Sequence, residues 1–166
     1  ASNGIIIDGI YNGQNIIAKM GFIAGEDAKE VFNIYGSSNV YQLEAEREIN
    51  EKIINNIDSP YVVKMIDSAF LDRKYVDKYY KNELLKIEKE STKAGMDYDL
   101  WLGYDFSKLV IMIFEKVEKF TDLYHFKGNL KDWLDILWNV CQVYNIFNLY
   151  GLRHIDVNWS NILVIF

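Results

Sequence analysis

The closing stretch GLRHIDVNWSNILVIF (residues 151–166) holds a His, an Asp two positions on and an Asn five beyond the Asp, just ahead of a short apolar run. A carboxylate in a loop can take the proton of a substrate hydroxyl, and a neutral amide oxygen suits a hard cation such as magnesium. Asp156 is the candidate base, Asn161 the candidate metal ligand, and His154 a packed residue bracing the loop. Asp and Asn in a helix-to-strand loop are also ordinary turn formers, and a lone His is more often structural than catalytic. Together, the three residues would serve phosphoryl transfer. That reaction asks the protein for clamped phosphates, held metal ions and an oriented hydroxyl rather than for covalent steps.

Such a site needs a cation for the phosphates. Lys19 ends an apolar strand in IIAKM, the pattern V-A-I-K of a phosphate-binding lysine, although a Lys at a strand end is usually just solvated. Upstream, Gly4 followed by Ile6 matches the end of the phosphate-covering pattern G-x-G-x-x-G-x-V; its middle glycine position is Ala1 and its first precedes the sequence. Gly4 is equally an ordinary turn residue. The lysine needs an acidic partner on the following helix, where Glu46 and Glu48 both qualify. Glu46 shares a helical face with Ile49, Ile53 and Ile57 and is the preferred partner; Asn50 lies on that face without a charge to offer.

The elements that must position these residues follow from apolar spacing. Ile5–Ile7 and Ile16–Met20 flank Asn12-Gly13, a strong signal for a β-hairpin. Residues 21–36 are ambiguous. Spacings of three and four predict a helix over 40–56, stopped by Asp58-Ser59-Pro60. YVVKMIDSAF (61–70) reads as a strand, and KLVIMIFEKV (108–117) as a buried strand from its continuous apolar run. Between them, 71–106 is charged, with a helical stretch around Glu83–Ser91, and reads as a surface insertion. A long apolar helix over Leu130–Leu149 leads into the His–Asp–Asn loop. The fold class expected is α+β: a mostly antiparallel sheet with one helix, joined to a helical part.

Composition bounds the setting. Half of the 166 residues are hydrophobic, which predicts a packed globular chain rather than a disordered one. A net charge of −6 argues against broad binding to nucleic acid or anionic membranes. One cysteine, Cys141, rules out an internal disulfide and fits a reducing intracellular compartment. No apolar stretch reaches membrane-spanning length.

In collinear order stand a glycine turn, a strand Lys, a helix Glu, a buried strand, a long helix and H-x-D-x-x-x-x-N. This series resembles the eukaryotic-type protein kinases over nearly all of the sequence. Trp159-Ser160-Asn161 is similar to the haspin-type loop D-L-H-W-G-N, where other kinases have Pro-Glu-Asn, and the insertion with Leu84-Leu85 and Lys93-Ala94-Gly95 resembles haspin's. Kinase-like proteins of large DNA viruses carry similar Trp-containing loops.

The resemblance implies a bilobal fold, with an N-lobe over 1–118 (insertion 71–106) and the start of a helical C-lobe over 119–166. It implies ATP and magnesium as cofactors and Ser/Thr protein phosphorylation. Gly4 and Ile6 would cover the nucleotide, and Phe114 would back the adenine. Glu115 to Val117 would line the adenine edge through backbone groups, and Asp122 would reach the ribose. The location implied is nuclear for a cellular haspin, and virion or host cytoplasm for a viral protein.

The departures carry expectations too. Ile155 replaces the usual Arg, which argues against control by a phosphorylated activation loop. Asn158 replaces the cation or His expected near the transferred phosphate. The second metal-binding carboxylate falls beyond Phe166, so the 166 residues alone are expected to be inactive. The alternative function is a non-catalytic kinase-like module: a scaffold, an inhibitor, or a structural component of an assembly such as a virus particle. A small-molecule phosphotransferase of related fold is a third reading.

Overall fold

The computed structural model describes residues 5–24, 40–82, 106–153 and 161–165. Gly4, His154 and Asp156, and the helix expected around 83–91, lie outside them. Within the described residues the architecture is mixed α+β, with a four-stranded antiparallel sheet and three α-helices.

Strands β1 (Ile5–Tyr11) and β2 (Gln14–Ala24) form the expected hairpin. Its turn has Asn12 at φ 50° and Gly13 at φ 79°. Both positions need left-handed backbone, which Asn tolerates and Gly adopts without strain, and this geometry matches the strands' twist. Helix α1 (Val40–Lys52) comes next, ending four residues short of expectation. Ile54–Asn56 instead tightens into a 3-10 turn, and the Lys64 ammonium binds the carbonyls of Ile54 and Ile57 there. A helix C-terminus leaves such carbonyls without partners, and a lysine is well suited to fill them.

Strand β3 (Met65–Asp72) begins four residues later than the apolar run predicts. The chain turns at Pro60 and Tyr61 and stays irregular to Lys64, and Asn55 acts as a side-chain strand partner at the entry to β3. Its amide donates to the Met65 carbonyl at 2.7 Å and its carbonyl accepts from the Met65 N–H at 3.0 Å. At its other end β3 runs past residue 70, with Leu71 and Asp72 paired to Leu109 and Lys108. Helix α2 (Arg73–Tyr79) follows at once and buries Val76. The first residues of the expected insertion therefore belong to the packed sheet.

Strand β4 (Phe106–Glu115) lies between β2 and β3, giving the order β1-β2-β4-β3. Its apolar run is explained by that place: Leu109, Val110 and Met112 are all buried. Leu43 of α1 packs with Met65, Val110, Met112 and Phe114 on one face of the sheet. Helix and strand come so close there that a Cβ on Gly21 would lie 2.3 Å from a Leu43 methyl. Burial of Ile49 was expected on this face, but it is 39% exposed; Leu43 is the anchor.

Residues 119–165 contribute β5 (Phe120–Asp122), α3 (Leu130–Leu149) and β6 (Leu163–Ile165), the last paired with β5. Helix α3 spans the residues the sequence predicts. Asn129 caps it by accepting from the N–H groups of Lys131 and Asp132, while the Asp132 carboxylate accepts from the Asn129 N–H at 2.8 Å. Val143, Ile146 and Phe147 on one side of α3 pack against Ile54, Ile57 and Val62, joining this part to the sheet. Leu134, Leu137 and Trp138 on its other side are exposed.

Candidate functional site

Side chains alternate along a strand. On β2, Ile16, Ala18 and Met20 are buried on one face, and Ile17, Lys19 and Gly21 share the other with α1. Lys19 sits mid-sheet, opposite Ile6 on β1 and Met112 on β4. Its ammonium lies 2.6 and 2.7 Å from the two carboxylate oxygens of Glu46. The close contact of Gly21 with Leu43, one helical turn before Glu46, brings the two charges into reach. Glu48 instead faces outward and pairs with Lys52 at 3.2 Å. Asn50 turns back on its own helix and donates to the Glu46 carbonyl at 2.8 Å. The expected Lys19–Glu46 pair is thus present, in the expected register.

Lys19 lines a small apolar cleft of about 170 Å³. Ile6 and Ile17 line it from the sheet, Phe114, Glu115 and Val117 from the end of β4 and the connector after it, and Leu163 from β6. A second cavity of about 730 Å³ shares Val63, Glu115, Val117 and Leu163 with the first and extends along α3 to Asp132, Asp135 and Asn161. Sequence-picked residues Ile6, Lys19, Phe114, Glu115 and Val117 therefore meet around one cleft, and Asn161 lies on the wall of the neighbouring cavity.

Asp122 is placed differently. Its carboxylate accepts from the His125 N–H at 2.9 Å and sits 2.7 Å from the His125 ring nitrogen Nδ1, and it lines neither cavity. The His125 backbone bond, aided by its ring, holds the Asp122 carboxyl below the ordinary carboxylate range. Asp122 is a turn-forming residue here.

Leu163, Val63 and Phe120 line the cleft without having been singled out from sequence. Leu163 carried a signal: it stands in the terminal apolar run, two residues after Asn161. Ile17 carried another, two residues before Lys19 on the same strand face. Val63 carried none, because it sits in the turn that the apolar run 61–70 disguised as strand.

No protein-family model, no curated protein and no solved structure matches this chain. Among the described residues no cluster of three His, Cys, Asp or Glu side chains is placed to hold a metal ion, and no helix is long and apolar enough to cross a membrane.

Proposed function

We propose that the protein is a haspin-like member of the protein-kinase class, binding ATP in the cleft under Lys19 and transferring its γ-phosphoryl group to a Ser or Thr hydroxyl of a protein. The observation that carries this is the Lys19–Glu46 pair, with both carboxylate oxygens on the ammonium and Lys19 on the wall of an apolar slot. A partly exposed ion pair adds only about 0.2–1 kcal/mol to stability. Its value is orientation: a lysine held by a helix glutamate presents its charge to the α- and β-phosphates.

The lining suits an adenine ring: Ile6, Ile17, Phe114, Val117 and Leu163 offer it apolar surface. In this reading Phe114 would back the ring and the Glu115–Val117 backbone would run along its edge. Asn161 would give one neutral oxygen to a magnesium ion, which keeps most of its contacts with phosphates and water. Magnesium, when bound, neutralises phosphate charge. Asp156 would accept the proton of the Ser or Thr hydroxyl as its oxygen attacks the γ-phosphorus and ADP leaves.

The test is phosphate transfer by the intact parent protein to a Ser/Thr-containing protein. Asp156→Asn should abolish transfer and leave ATP affinity nearly unchanged. A second reading, a kinase-like module that binds but does not transfer, is favoured by Asn158, which puts no cation beside the transferred phosphate. ATP binding without transfer by the unaltered protein would select it. A folded wild-type protein that binds no ATP would defeat the two readings together.

A further inference from the structure

The connector from β4 to β5 is tied down on both sides of Val117. The Glu115 N–H donates to the Lys64 carbonyl at 3.1 Å, and the Glu115 carboxylate accepts from the Lys64 N–H at 2.8 Å. One residue on, the Lys116 ammonium lies 2.8 Å from the Asp8 carboxylate on β1. The Glu118 carboxylate accepts from the Asn15 side-chain amide at 3.0 Å, next to the β1–β2 turn. Lys119 then turns the chain into β5 with φ 55°. Lys116 and Glu118 spend their charged groups outside the cleft, and Val117 between them is on its wall.

The two outer ties reach the same hairpin that carries Ile6. Asp8 is two residues from Ile6, on the same face of β1. Asp8 is 72% exposed, so the bond to Lys116 contributes little to global stability. What it fixes is a distance, between the strand bearing Ile6 and the connector bearing Val117.

We propose that Asp8–Lys116 and Asn15–Glu118 form a latch that sets the width of the slot between Ile6 and Val117, making Asp8 and Asn15 positioning residues for the adenine ring. The proposal rests on the nucleotide reading of the cleft. The latch acts on the ring and not on the phosphates, which Lys19 would meet at the other end.

The experiment compares wild type with Asp8→Asn, Asn15→Ala and the charge reversal Asp8→Lys with Lys116→Asp. Amide hydrogen exchange is followed at residues 116–118, and adenosine and inorganic tripolyphosphate are titrated separately by calorimetry. Releasing an exposed pair of this kind should weaken adenosine binding by about threefold. Tripolyphosphate affinity should not change, Val117 exchange should quicken, and the reversal should restore both. Unchanged Val117 exchange and adenosine affinity would overturn the latch. So would an equal loss for both ligands accompanied by a lower melting temperature, which marks a merely structural role. If wild type binds neither ligand, the nucleotide reading fails, and the exchange data still decide whether the pairs restrain the connector.

Discussion

Lys19 and Glu46 are 27 positions apart in sequence and share a short contact in which one ammonium meets both oxygens of one carboxylate. Replacing the carboxylate with an amide keeps the shape and removes the charge that steers the lysine. Glu46→Gln should leave the unfolding free energy within about 1 kcal/mol of wild type, as for other half-exposed pairs. It should weaken ATP binding by about tenfold, a difference of about 1.4 kcal/mol, read by calorimetry. Loss of stability without loss of affinity would make the pair a structural brace.

Asp122 offers a second residue-scale outcome. Its carboxyl is held below the ordinary range, chiefly by the His125 backbone N–H. A depressed folded value means that the aspartate stabilises the fold above the unfolded pKa of about 3.9 and loses that contribution as pH falls through the lower folded value. Asp122→Asn should therefore lower the urea midpoint at pH 6, and the gap to wild type should close on acidification below about pH 4. A constant gap across that range would show that the ionised carboxylate is not what matters.

Among the elements, the contact between β2 and α1 decides whether the site exists. Gly21 leaves no room for a methyl against Leu43, which is itself buried in the cluster with Met65, Val110 and Met112. Gly21→Ala should cost about 1–3 kcal/mol, as overpacking does, and displace the turn carrying Glu46. Urea unfolding measures the first effect and ATP titration the second; a stable variant with full affinity would show that α1 shifts without dragging Glu46. At α3, Asn129→Ala removes the acceptor for two helix N–H groups and should cost about 1 kcal/mol in the same unfolding assay, with nucleotide affinity unaffected.

The hairpin, β4 and α3 were legible because each has a strong local signature: Asn12-Gly13, an unbroken apolar run, and a long apolar helix. The end of α1 and the start of β3 were not, because Lys64 and Asn55 settle them through side chains that fill backbone positions. Such long-range hydrogen bonds leave no periodicity in a sequence. The sequence favours Glu46 over Glu48 through the face it shares with Ile49, which is 39% exposed. The choice matches the structure because Leu43, on the same face, supplies the packing instead.

At the scale of the whole molecule, the sheet lines one part of the cleft with Ile6, Ile17, Lys19 and Phe114, and Phe120 of β5 with Leu163 of β6 lines another, while α3 lines the neighbouring cavity. The cluster of Ile54, Ile57 and Val62 with Val143, Ile146 and Phe147 joins them. The cleft is thus a product of both parts, which is why Leu163 and Val63 escaped a reading made element by element. In the proposed function this cleft takes an adenine nucleotide with its phosphates toward Lys19. The most direct measurement is calorimetric titration of ATP with magnesium into the folded wild-type protein and into Lys19→Met. The expected result is saturable one-to-one binding in wild type, weakened at least about tenfold in the variant. A folded wild-type protein that binds no ATP, or a Lys19→Met variant that binds it equally well, would contradict the claim.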